Sequence, residues 1–170
     1  MSLIVRPEAI TDRAAVGQVN RLAFGREDES RLVVALRDGG HARLSLVAAI
    51  DGQIVGHILF STLAIATESG IVPALALAPM AVIPSQQRRR IGSTLVEEGL
   101  TACREAGDRI VIVLGHPDFY RRFGFSAKRA ERLRSEYSGE AFMAAELVPG
   151  ALDGIEGEVR YPPPFGTISG

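Results

Sequence analysis

One cysteine, Cys103, and one lysine, Lys128, occur among 170 residues. The lone cysteine excludes an intramolecular disulfide framework and any multi-cysteine metal site. The lone lysine leaves arginine as the main cation. An excess of either charge is missing too: 19 Lys and Arg against 20 Asp and Glu give a formal net charge of -1 and a sequence pI of about 6.3. That balance argues against a general nucleic-acid or membrane-surface binder. The longest charge-free stretch, from Ser69 up to Arg88, carries Pro73, Pro79 and Pro84, which does not suit a membrane-spanning helix. The opening Met1–Glu8 has charges where a signal peptide needs an apolar run. A cytoplasmic protein is therefore expected. The sequence shows no internal repeat, Walker loop, Rossmann G-x-G-x-x-G or Ser-His-Asp elbow.

What is present suits one globular domain over residues 1–170, with 46% hydrophobic and 23% charged residues and no metal needed to hold it together. Leu3 to Arg6 reads as a strand ended by Pro7. Thr11 is then placed as the N-cap of a helix to about Phe24, on the spacing of Ala15, Val19, Leu22 and Ala23. A second helix runs from Glu29 to Arg37 and stops at Gly39-Gly40. Strands follow at Leu44–Ile50 and Gln53–Ala64, joined by Asp51-Gly52, a tight hairpin signal. Pro73–Ile83 is almost wholly apolar, as for a strand covered on both faces. Pro79 inside it cannot donate to a ladder, so a bulge or parting of strands is expected there.

Gly92–Ala106 is expected as a helix burying Ile91, Leu95, Val96, Gly99, Leu100 and Cys103, with Gly107 as its stop. A buried strand at Arg109–Leu114, a short helix at Asp118–Phe123, a strand opened by Phe125, and late strands at Ala141–Val148 and Gly157–Tyr161 complete the order. The fold class is thus α/β or α+β, a mixed sheet covered by helices.

The chemistry concentrates in Gln87-Arg88-Arg89-Arg90-Ile91-Gly92-Ser93-Thr94, where a basic loop enters a helix. Backbone N–H groups at a helix start favour an anion, and guanidiniums suit phosphate oxygens. This is a candidate pyrophosphate cradle.

The same loop resembles the Q/R-x-x-G-x-G/A motif of the GCN5-related N-acetyltransferases (GNAT), with Arg90 standing where the family has its first glycine. Downstream, Gly115-His116-Pro117-Asp118-Phe119-Tyr120-Arg121-Arg122-Phe123-Gly124-Phe125 resembles the family's second signature, a Tyr four residues before Gly-Phe. The Leu-Gly-His-Pro-Asp-Phe-Tyr form is most similar to the YhbS-type subgroup. The resemblance is strong over residues 44–126. It implies a single GNAT-like domain with a mixed, mostly antiparallel sheet and a splayed strand pair at the cofactor site. It also implies transfer of an acetyl group from acetyl-CoA, as co-substrate, to an amine.

By the same resemblance, Met80, Ala81 and Val82 would offer backbone groups to the pantetheine arm and the thioester oxygen, while Gln87 through Thr94 hold the pyrophosphate. Tyr120 would be the general acid for the departing thiolate; a phenol with pKa near 10 is suited to a thiol near 8.5. The residues do not single out the base; His116, close by in sequence, is a candidate, and a water chain could also serve. For His116, as for His57, Glu27 and Glu29, the structural roles of hydrogen-bonded core or surface histidine and solvated acidic face are favoured. The rival readings are a non-catalytic acyl-CoA-binding module on the same fold and an arginine-rich nucleic-acid or interaction domain. An unidentified amine is the expected partner, with neither nucleic acid nor membrane. A monomer or a homodimer is expected.

Overall fold

The computed structural model describes residues 2–167; Met1 and residues 168–170 of the expected domain lie outside the described residues. Its core is a mixed, mostly antiparallel sheet flanked by helices. In chain order the elements are β1 (Leu3–Pro7), α1 (Arg13–Phe24), α2 (Asp28–Asp38), β2 (Ala42–Ile50), β3 (Gln53–Thr67), β4 (Gly70–Val82), α3 (Ile91–Glu105), β5 (Ile110–Leu114), α4 (Pro117–Tyr120), β6 (Leu133–Arg134), β7 (Phe142–Glu146) and β8 (Gly157–Arg160). The strand order is β1-β2-β3-β4-β5-β7, with β8 pairing β3 and β6 pairing β8. No helix among the described residues is long and apolar enough to cross a membrane.

The chain divides into two compact units, residues 1–61, 79–99 and 162–170, and residues 62–78 and 100–161. In the first, β1 pairs antiparallel with β2, and β2 with β3. The hairpin at Asp51-Gly52 has φ of 50° and 81°, the left-handed pair that two-residue hairpins require. Helix α1 starts later than expected. Asp12, not Thr11, stands at its N-cap position, with no side-chain bond into the helix; the Asp12 carboxylate instead closes the preceding 3-10 turn Ile10–Asp12, accepting the Ala9 amide at 2.7 Å and the Arg6 guanidinium at 2.7 and 3.1 Å. A carboxylate holds that turn firmly because it gains an ion pair along with the amide bond. Val16, Val19 and Asn20 form the buried face of α1, whereas Leu22 is 48% exposed. The helical period turns residue 22 away from that stripe.

In α3, Ile91, Leu95, Val96, Leu100 and Cys103 are all buried, as their spacing predicts. Gly99 lets the helix lie against the ring of Phe60, which a Cβ would strike. Gly107, at φ 94°, ends α3: its amide bonds Arg104 O at 3.0 Å, and the Asp108 amide bonds Cys103 O at 3.0 Å. That pair is a Schellman stop.

In the second unit β5 runs parallel to β4 over Leu75↔Val111 to Leu77↔Val113 and antiparallel to β7 over Ile110↔Glu146 to Leu114↔Phe142. The parallel register ends two residues before Pro79, while β4 runs on to Val82. This is the parting expected at the proline. Phe125 does not open a strand. Ser126 makes one isolated bridge to Ala144, and the chain then coils into a 3-10 turn at Lys128–Ala130, held by the Ser126 hydroxyl accepting the Arg129 amide at 3.1 Å.

Candidate functional site

The basic loop leaves β4 under tight local control. Ile83 donates its amide to Val55 O at 2.9 Å. Pro84–Gln86 then forms a 3-10 turn, and the Gln87 side-chain amide reaches back to Val82 O at 2.9 Å. Gln87 therefore anchors the loop to the end of the strand through its side chain. Arg88 and Arg90 follow with φ of 64° and 66°. For a residue with a Cβ this left-handed conformation costs about 1–2 kcal/mol. Arg90 thus adopts the backbone that a glycine at this motif position adopts freely.

Arg90 also opens α3: its carbonyl accepts the Thr94 amide at 3.0 Å and the Thr94 hydroxyl at 2.8 Å. The amides of Ile91 and Gly92 come ahead of that first intrahelical bond, at the positive end of a 15-residue helix. Arg88, Arg89 and Arg90 are exposed, and their guanidiniums pair with no described residue. Ser93 is buried and Thr94 half-buried. Upstream, Met80 is half-buried, and Ala81 and Val82 are buried. A loop that gathers three uncompensated cations beside helix-start amides fits a polyanion such as a pyrophosphate.

The other expected site residues lie in the second unit. Strand β5 ends at Leu114, and Gly115 continues its line by donating its amide to Ala141 O at 3.0 Å. His116 caps α4 through its carbonyl, which accepts the amides of Phe119 and Tyr120 at 3.1 Å each. Its imidazole is exposed. The short helix passes into a 3-10 turn at Arg121–Phe123 and stops at Gly124, φ 93°.

Tyr120 is 8% exposed. Its ring meets Phe119 edge-on at 4.9 Å and Phe125 at 5.7 Å between centroids. Its hydroxyl has no hydrogen-bond partner among the described residues. The phenol departs from the ordinary value assumed in reading the sequence: burial pushes its pKa up to about 12. It therefore keeps its proton at any working pH.

The alternative bases are engaged elsewhere. His57 is fully buried and bonded at both ring nitrogens, to Asn20 at 3.2 Å and Ser45 at 2.9 Å. Glu29 pairs with Arg26 at 2.6 Å and Glu27 with Arg21 at 2.9 Å. The sequence reading missed this polar cluster around His57 and the role of Gly115. A glycine directly before the His-Pro pair was the only visible signal for the latter.

The acetyltransferase (GNAT) domain model matches residues 5–127. The chain belongs to the GNAT acetyltransferase family. It is 33% identical over 162 residues to the uncharacterized N-acetyltransferase YhbS of Escherichia coli (strain K12), covering 94% of this chain and 96% of that one. The crystal structure of YhbS from Escherichia coli in complex with CoA is similar at TM-score 0.91 and 32% identity, covering 98% of this chain and 93% of that one. A GNAT family acetyltransferase from Brucella melitensis in complex with acetyl-CoA is similar at TM-score 0.81 and 34% identity, covering 96% and 98%. This GNAT member therefore shares an acyltransferase fold along nearly its whole length with relatives that were crystallised holding CoA or acetyl-CoA.

Proposed function

We propose that residues 1–170 act as one N-acetyltransferase domain in the cytoplasm, transferring the acetyl group of acetyl-CoA to a primary amine of a small molecule or protein by direct attack. The observation that carries the mechanism is the phenol of Tyr120, buried in its ring and unpartnered at its hydroxyl among the described residues. Acetyl-CoA, when bound, supplies an activated thioester carbonyl. Arg88, Arg89 and Arg90, with the amides of Ile91 and Gly92, hold its pyrophosphate, and Ser93 and Thr94 complete that turn. Gln87 keeps the turn attached to β4 through its bond to Val82 O. Met80, Ala81 and Val82 offer main-chain groups past the last β4–β5 pair at Leu77↔Val113; Pro79 has no N–H to give.

Tyr120 donates its proton to the departing sulfur. At a pKa of about 12 the phenol is a poor acid toward bulk water, so it works as a fixed hydrogen-bond donor that yields its proton only as negative charge gathers beside it. His116, in the turn before Tyr120, receives the proton of the attacking amine.

Calorimetric titration with acetyl-CoA, followed by an amine panel assayed for free thiol, tests the whole reading. Tyr120→Phe should lower kcat by about 10²–10⁴-fold while binding of CoA persists. A protein that binds CoA but releases no thiol with any amine would instead be an acyl-CoA-binding module. Salt-sensitive nucleic-acid binding without CoA binding would reject both.

A further inference from the structure

A Cβ built on Gly115 would lie 2.6 Å from Tyr120 Cε2 and 3.0 Å from Cδ2. Aliphatic and aromatic carbons in contact stand about 3.5–4.0 Å apart, so the ring rests directly on the glycine's Cα. Backbone freedom does not require this glycine, because Gly115 is not among the residues with positive φ. Its amide sits in an ordinary bond to Ala141 O, which any residue could make. Only the approach of the Tyr120 ring excludes a side chain here. On its other sides that ring is bounded by Phe119 and Phe125, both edge-on. One missing methyl therefore sets where the phenol stands.

We infer that Gly115 is a positioning residue for the reaction, fixing the Tyr120 phenol by leaving open the space its ring occupies. This rests on Tyr120 being the general acid. An alanine at 115 has to push the ring aside by about 1 Å to restore ordinary contact. Displacement on that scale costs on the order of 100-fold in rate without touching ligand binding.

The experiment is a four-protein cycle of wild type, Gly115→Ala, Tyr120→Phe and the double variant, assayed with acetyl-CoA and an accepted amine. Gly115→Ala should lower kcat by about 10- to 100-fold with KM for acetyl-CoA changed less than about threefold. It should cause no further loss in the Tyr120→Phe background. Equal losses in both backgrounds, or an unchanged kcat, overturn the inference.

If Tyr120→Phe itself keeps full turnover, the general-acid reading fails. The positioning role in catalysis then fails with it, and phenol titration followed by ultraviolet absorbance, with Tyr120→Phe as the blank, reports whether Gly115 still sets the ring. If Gly115→Ala does not fold, thermal unfolding in the Tyr120→Ala background decides. With the ring removed the alanine should cost no stability, and a cost there as large as in the wild type overturns the proposal.

Discussion

His57 Nε2 lies 2.9 Å from Ser45 Oγ, and the Ser45 hydroxyl in turn donates to Glu8 Oε1 at 2.7 Å. On the opposite side Asn20 donates its amide N–H to His57 Nδ1 at 3.2 Å while also reaching Val16 O at 3.0 Å. These partners place the proton on Nε2 and leave no room for a second one. Glu8 closes the chain with an ion pair to Arg37 at 2.6 Å. A network of this kind ties α1, α2, β2 and β3 of the first unit together, and it works only with a neutral imidazole.

Burial, with a smaller push from the Arg37 charge, lowers the His57 pKa from 6.5 to about 3. Between those two values the unfolded chain binds a proton that the folded chain refuses. Stability should be complete above pH 6.5 and fall as the pH drops toward 3, by up to about 1.4 kcal/mol per pH unit. Urea midpoints measured across that range should show the slope, and His57→Gln should flatten it. A variant with the same slope as the wild type would assign the acid sensitivity to other groups.

Asp12 behaves in the opposite sense. The Arg6 guanidinium, and then the Ala9 amide, hold its carboxyl at about 2, below the ordinary 3.8. Its stabilisation is present above 3.8 and disappears as the pH falls through about 2. Asp12→Ala removes the acceptor of the Ala9 amide and the partner of Arg6 and should cost about 1 kcal/mol at neutral pH, read as a lowered unfolding midpoint. The difference from wild type should shrink in strong acid.

Arg90→Gly should relieve a left-handed backbone, φ 66°, and raise stability by up to about 1 kcal/mol. The same change removes a guanidinium from the loop, so CoA binding should weaken several-fold and lose part of its salt dependence. Thermal shift without ligand and calorimetry at low and high salt read the two effects separately. Lower stability together with unchanged affinity would contradict both.

Tyr120, with a phenol at about 12, stays protonated far into the alkaline range. The pH profile of kcat should therefore keep the same alkaline shape in wild type and Tyr120→Phe up to about pH 10, differing only in height. An alkaline limb that vanishes in the variant would mean the phenol ionises much lower in the working enzyme.

Gly99→Ala drives a methyl into the buried ring of Phe60 and should cost about 1–3 kcal/mol in chemical denaturation.

Local chemistry made much of this protein legible in its sequence. The Asp51-Gly52 hairpin, the Gly107 stop, the apolar face of α3 and the strand-loop-helix motif from Val82 to Thr94 each depend on neighbours within a few residues. Pro79 announced the end of strand pairing because a missing N–H has the same consequence in any fold. Other features needed the tertiary structure because they depend on how side chains pack once the segments are folded, which no local pattern of residue types reports. The carboxylate of Asp12 closes the turn ahead of α1 against the Ala9 amide because Arg6 stands opposite it. Asn20, a polar residue that no periodicity marks for burial, is buried where β3 brings His57 to it. The phenol of Tyr120 rises to about 12 and comes to rest on Gly115 through packing alone. Periodicity and turn chemistry report what a segment favours by itself, whereas the partners of a buried polar group and the space left for a ring are set by whichever elements fold against them.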